Sequence, residues 1–180
     1  MIRLFVAVYP PPDIRARLAG LCAGITDARW VPPENMHLTL RFIGEVEEPR
    51  LEDIGYELRG IRAASFPLTL AGVGHFENRG RVRAIWAGVQ PSPELVELQH
   101  RVDAAIRRAG LGTEGRRFSP HVTLARLKNA KPDAVGRWLQ ANGAFRGFPF
   151  DVSEFTLFAS HQGKEAAVYQ PLEDYPLRDL

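Results

Sequence analysis

The chain has 180 residues, 45% of them hydrophobic, and a formal net charge of +2. That length suits one compact domain, or two small lobes packed on each other, with a core of real size. The charge balance excludes a massively basic surface, the single cysteine, Cys22, excludes an intramolecular disulfide, and no stretch approaches the ~20 apolar residues of a membrane span.

In chain order the sequence predicts alternating strands and helices. Arg3 to Tyr9 is β-branched and aromatic and reads as a buried strand. Pro10, Pro11 and Pro12 end it and open a helix whose Ile14, Leu18, Leu21 and Ile25 share one face. Cys22 sits in this stretch as packing. Trp30 to Pro33 is short and extended, because proline forbids a helix there. His37 to Ile43 is a strand, and Arg50 to Ile61 a helix with Leu51, Ile54, Leu58 and Ile61 inward. Phe66 to Val73 is a strand, Gly74 to Gly80 a loop rich in turn residues, and Val82 to Val89 another strand. Ser92 caps a third helix, with Pro93 at its first position, Leu95, Leu98, Val102 and Ile106 on one face, and Gly110 as the stop. A basic loop, Thr113 to Ser119, leads into the strand His121 to Leu127. A shorter helix starts at Pro132; Phe148 to Ala159 then reads as one long strand, with Ala166 to Tyr169 as its hairpin partner. The class is α+β, with antiparallel or mixed sheets and helices outside.

One pattern occurs twice. His37-Leu38-Thr39-Leu40 and His121-Val122-Thr123-Leu124 both read His, aliphatic, Thr, Leu. In a strand, alternate side chains share a face, so His and Thr face one way and the aliphatic pair the other. The contexts repeat too. A β-rich run, a Pro-containing turn and a helical stretch precede each copy. Phe66-Pro67 follows the first and Phe148-Pro149 the second, at nearly the same offset from the motif. This is an internal duplication of two lobes, too long in period and too few in copies for a solenoid. The expected organisation is a single domain over residues 1–180 with two pseudo-repeat lobes.

Two imidazoles suit general acid–base catalysis near neutrality, one ring neutral while the other is protonated. One takes a proton from an attacking group as the other gives one to a leaving oxygen, the pair of roles that phosphodiester cleavage through a 2′,3′-cyclic phosphate requires. Thr39 and Thr123 can hydrogen-bond phosphate oxygens as charge redistributes. Only Lys128, Lys131 and Lys164 are lysines; the arginine excess suits phosphate handling through bidentate pairing, or reflects genomic base composition. Metal binding is the main rival. There is no H-x-H, H-E-x-x-H or Cys/His cluster, and Glu34 and Glu45 fall in expected turns, so no metal is expected. Neither a G-x-S-x-G elbow nor a G-x-x-x-x-G-K-[ST] loop is present. His75, His100 and His161 read as structural or solvated.

With these motifs in place the chain resembles the 2H phosphoesterase superfamily, and within it the RNA 2′,3′-cyclic phosphodiesterases once named 2′-5′ RNA ligases. The likeness runs from Arg3-Leu-Phe-Val-Ala-Val8 through His37 to Val46, Gly74 to Arg79, Trp86, Pro120 to Arg126 and Glu154 to Ser160, to Gly163 and Tyr169. It implies a bilobal fold with the two H-x-T strands facing across a central cleft. It also implies metal-independent, cofactor-free hydrolysis of the cyclic phosphate on RNA 3′ ends to a 2′-phosphomonoester. Reversible 2′-5′ ligation of tRNA halves accompanies this in some members. His37 becomes the proton donor and His121 the acceptor, although nothing in the residues themselves decides which is which. The family's arginine corresponds to Arg126, five positions after His121. Strict alternation puts Arg126 on the opposite face, so a bulge or strand end must turn it in. Its repeat equivalent, Phe42, either stacks a base or fills the core.

Two other readings stay open: a non-catalytic module that holds 2′-phosphorylated or cyclic-phosphate RNA ends, and a phosphodiesterase for small cyclic nucleotides or 2′-5′ oligonucleotides. Neither the N-terminal apolar run nor the cysteine count suggests export, so a cytoplasmic monomer without membrane attachment is expected.

Overall fold

In the computed structural model, which describes residues 1–178, ten strands and four helices alternate along the chain. The strands are β1 (Ile2–Val8), β2 (Arg29–Trp30), β3 (Leu38–Val46), β4 (Phe66–Leu68), β5 (Leu70–Asn78), β6 (Arg81–Val89), β7 (Val122–Arg126), β8 (Phe150–Val152), β9 (Glu154–His161) and β10 (Val168–Pro176). The helices are α1 (Pro12–Ala19), α2 (Arg50–Arg59), α3 (Pro93–Arg108) and α4 (Pro132–Asn142). The fold is α+β. Eight strands join in the order β10-β9-β1-β3-β7-β6-β5, with β2 on β7, and β4 pairs β8 in a second sheet. Every described pairing is antiparallel.

The large sheet is two halves joined at one point. β3 and β7 carry the two motifs, and their shared register is the single pair Leu38↔Val122. On one side lie β1, β9 and β10; on the other lie β6, β5 and β2. Neither half is continuous in sequence. β5 closes the first repeat but pairs with β6 of the second, and β9 of the second pairs with β1 of the first.

β1 is buried on both faces, which explains its unbroken apolar run. Leu4, Val6 and Val8 pack into the main core with Leu38, Leu40, Val122 and Leu124. Ile14 and Leu18 of α1, Ile54 and Leu58 of α2, and Leu95, Leu98, Val102 and Ile106 of α3 complete it. Each such side chain contributes about 1.5–3 kcal/mol by leaving water. Phe5 and Ala7 face the other way and form a small cluster with Phe158, packed against Tyr169.

Six expectations need correction. α1 ends at Ala19, so Ile25 reaches the core from the chain beyond the helix rather than from its face. Gly74 to Asn78 is strand rather than loop, and the turn is only Arg79-Gly80, with φ of 53° and 76°. Two consecutive positive φ values make the tight hairpin that lets β5 and β6 pair at full length. Phe148 to Ala159 is not one strand. It breaks at Ser153 into β8 and β9, as Phe66 to Val73 breaks at Thr69 into β4 and β5, and each break sends the chain from the small sheet into the large one. The hairpin partner of β9 runs to Pro176 rather than Tyr169. Glu45 lies within β3 rather than in a turn.

Candidate active site

The motif strands meet at their first residues. Extending the single antiparallel pair Leu38↔Val122 by one residue each way brings His37 level with Thr123 and Thr39 level with His121. The histidines are then diagonal neighbours, a relation with a spacing of about 7–8 Å. That leaves room for a phosphate between two rings.

Both strands carry a bulge at the same place in the motif. On β7, Ile85 pairs Ala125 and Trp86 pairs Thr123, so Leu124 is the extra residue. On β3, Val6 pairs Arg41 and Ala7 pairs Thr39, so Leu40 is extra. A bulge resets the alternation of side chains. Leu124 and Ala125 are consecutive and both fully buried, and Leu40 and Arg41 are both buried. Arg126 and Phe42 therefore return to the same face as the histidines. This is the turn-in that strict alternation lacked. Phe42 is 54% exposed, which rules it out as core filler.

The cleft, of about 590 Å³, is lined by Thr39, Phe42, His121 and Arg126, together with Phe76, Arg83 and the Glu114 to Ser119 loop. His37 and Thr123 are half-buried beside it rather than in its lining.

Each imidazole is held in the same way. His37 Nδ1 donates to the Asn35 carbonyl and His121 Nδ1 to the Ser119 carbonyl, both at 2.7 Å. A carbonyl only accepts, so it fixes the proton on Nδ1 and leaves Nε2 of each ring free for chemistry. Sequence reasoning missed both carbonyls, because any residue supplies one. Asn35 is itself tied by its amide to the Ala167 carbonyl at 2.7 Å, which locks the turn before His37 to the β9–β10 hairpin. Aromatic rings flank both sites. Phe5 lies 4.8 Å from His37 and Tyr169 meets it edge-on at 5.1 Å. Phe76 meets His121 edge-on at 4.8 Å, and Trp86 lies at 5.9 Å. Trp86 also lies flat over Gly74, where a Cβ would come within 2.3 Å of the indole, so that position must be glycine.

Burial sets the charge state. It pushes the His37 pKa down to about 4, with the Asn35 hydrogen bond opposing and the charges of Arg126 and His121 adding to the fall. His121 is lowered by burial first, against the Ser119 bond, and further by Arg126. Both rings are neutral in the free protein near pH 7. An incoming phosphate reverses the balance, since an adjacent negative charge favours the imidazolium.

Arg41 is a second feature that sequence reasoning missed. The Leu40 bulge turns it inward, where it is 4% exposed. Its Nε donates to Asp103 of α3 at 2.8 Å, and its remaining nitrogens donate to the carbonyls of Phe42 and Gly112. The bond to Gly112 anchors the loop that brings Glu114 to Ser119 to the cleft. Gln99 donates to the carbonyl of the bulged Leu40 at 3.4 Å.

Of the remaining histidines, His75 bonds Glu77, His161 bonds Gln170 across the hairpin, and His100 is exposed on α3. Burial raises the Cys22 thiol to about 11, so it stays protonated. Among the described residues no three His, Cys, Asp or Glu side chains gather as metal ligands, and no helix is long and apolar enough to cross a membrane.

A family model described as LigT-like phosphoesterase matches residues 8–86 and again residues 88–169. The chain belongs to the LigT-like phosphoesterase family. An RNA 2′,3′-cyclic phosphodiesterase from Aeropyrum pernix is 37% identical over 146 residues, 80% of this chain and 83% of its own. The protein of that name from Escherichia coli is 32% identical over 182 residues, 97% of this chain and 96% of its own. A crystal structure of E. coli LigT with 3′-AMP superposes with a TM-score of 0.81 at 28% identity, covering 98% of both chains. A phosphoesterase structure gives the same score and coverage at 30% identity. The α+β fold of this LigT-like phosphoesterase is thus shared with its relatives across nearly the whole chain.

Proposed function

We propose that this chain hydrolyses the 2′,3′-cyclic phosphate at RNA 3′ ends to a 2′-phosphomonoester, with its two histidines as acid and base. The observation that carries the reading is the matched pair of Nδ1 bonds to Asn35 and Ser119, which leave the Nε2 of His121 free in the cleft lining and the Nε2 of His37 free beside it. The relatives named RNA 2′,3′-cyclic phosphodiesterase support the substrate.

In this mechanism His121 Nε2 accepts a proton from water as its oxygen bonds to phosphorus. The bond from phosphorus to O3′ breaks, and His37 Nε2 donates a proton to O3′, leaving a 3′-hydroxyl and a 2′-phosphate. His37 is neutral in the free protein, so the bound phosphate's charge must raise its pKa before it can donate. Arg126 pairs with the phosphate oxygens, and Thr39 and Thr123 donate hydroxyl hydrogen bonds to them as charge moves. Phe42, exposed at the cleft, stacks the terminal base, a contact worth about 1–3 kcal/mol. With a 5′-hydroxyl in place of water, the same steps form its bond to phosphorus, break the bond to O3′ and protonate O3′, leaving a 2′-5′ linkage, which is ligation. A monomer fits this reading, because one chain supplies both motif strands.

The test is incubation with an oligonucleotide ending in a 2′,3′-cyclic phosphate, in excess chelator, with product mapping. A 2′-phosphate product at an undiminished rate is expected. Binding without product would make the chain a holding module, and recovery only on adding a divalent metal would end the metal-independent mechanism.

A further inference from the structure

The protein's arginines divide by partner. On the helical side, Arg41, Arg50, Arg59, Arg101, Arg107 and Arg108 each meet a carboxylate within 4.0 Å. None of the cations on the β2–β7 side of the cleft does so among the described residues. There Arg29 stands directly opposite Arg126 across β2 and β7. Two like charges in that position have Cβ atoms about 5 Å apart and cost stability unless an anion lies between them. Lys128, exposed just beyond Arg126, adds a third positive charge.

These three cations line a hollow of about 430 Å³, with Asn129, Leu127 and a single carboxylate, Asp27. Arg126 belongs to this hollow and to the catalytic cleft. The two cavities are therefore consecutive along the protein surface, with one guanidinium between them. A nucleotide has the same layout: a phosphate on its 2′ and 3′ oxygens, and another on its 5′ oxygen one sugar away.

We infer that the hollow of Arg29, Lys128 and Asn129 is a subsite for the 5′-phosphate of the terminal nucleotide. This rests on the proposed reaction at the neighbouring cleft and names the substrate it favours: the end of an RNA strand rather than a free nucleoside cyclic phosphate. In an RNA, that 5′-phosphate is the linkage to the preceding nucleotide. Arg29 and Lys128 pair with its oxygens, Asn129 donates an amide hydrogen, and the cost of the facing arginines is relieved when it binds.

The experiment compares adenosine 2′,3′-cyclic phosphate with and without a 5′-phosphate as substrates of the full chain. In parallel, calorimetry compares binding of adenosine 2′-monophosphate and adenosine 2′,5′-bisphosphate. The 5′-phosphate should raise kcat/KM and affinity by about tenfold or more, the scale of one charge-assisted hydrogen bond. The ratio should shrink between about 50 and 200 mM salt, as phosphate contacts do. It should fall towards one in Arg29→Ala/Lys128→Ala and be kept in Arg29→Lys, with thermal melts to confirm folding. A ratio near one in the wild type, or a ratio that survives the double substitution, overturns the subsite. Failure to hydrolyse either of these or an oligonucleotide ending in the cyclic phosphate overturns the reaction instead, and the calorimetric ratio still decides the subsite.

Discussion

Replacing His37 by glutamine should remove a specific part of the protein's acid sensitivity. The imidazole has an ordinary pKa of 6.5 and is held at about 4 in the fold, mainly by burial. Between those two values the unfolded chain binds a proton that the native chain does not, so stability rises with pH across that window. The contribution is complete above pH 6.5 and is lost as pH falls towards 4. At about 1.4 kcal/mol per pKa unit, the loss due to His37 is about 3 kcal/mol. That is a large share of the roughly 5–15 kcal/mol typical of a domain. His121 is lowered in the same direction and steepens the slope further. The assay is denaturant unfolding of wild type and His37→Gln at pH 7 and pH 4, read as a difference of differences. Glutamine does not titrate, so the variant should lose about 3 kcal/mol less than wild type over the interval. At pH 7 the variant should be weaker by only about 1 kcal/mol, the worth of the lost bond to Asn35. Parallel stability curves for the two proteins would refute the buried, neutral imidazole.

Alanine at His37 or at His121 should each lower kcat/KM by about 10²–10⁴-fold, and the double variant should fall by less than the product, since groups acting in one step are not additive. Near-normal turnover in either folded single variant would end the two-histidine mechanism. Arg126→Ala should raise KM more than it lowers kcat, and unchanged kinetics would remove Arg126 from the site. Arg41→Met leaves the Phe42 and Gly112 carbonyls unpaired and Asp103 with only Arg107, and should cost about 2–4 kcal/mol by denaturant unfolding. Gly74→Ala drives a methyl into the Trp86 indole and should cost about 1–3 kcal/mol, with a changed near-UV circular dichroism spectrum as the indole shifts.

The sequence alone determined the parts that depend on local pattern. Alternation placed His37 with Thr39 and His121 with Thr123, and the repeated landmarks marked two matching motif strands, which the fold sets one in each half of the large sheet. Helical spacing found α1 to α4, and the apolar positions Ile14, Leu18, Ile54, Leu58, Leu95, Leu98, Val102 and Ile106 are core residues in the fold. Tertiary structure decided what local pattern cannot carry. The face taken by Arg126 and Phe42 depends on the bulges at Leu124 and Leu40. A bulge exists only through pairing with β6 or β1, and a whole helix separates each of those strands from its partner in sequence. The breaks at Thr69 and Ser153 depend on β4 pairing β8, and those two strands come from different repeats. The free nitrogen of each imidazole is chosen by a backbone carbonyl, a group that a residue of any type at positions 35 and 119 carries. Side-chain identity is written in the sequence; the partner strand and the direction of a carbonyl are set only when distant segments meet.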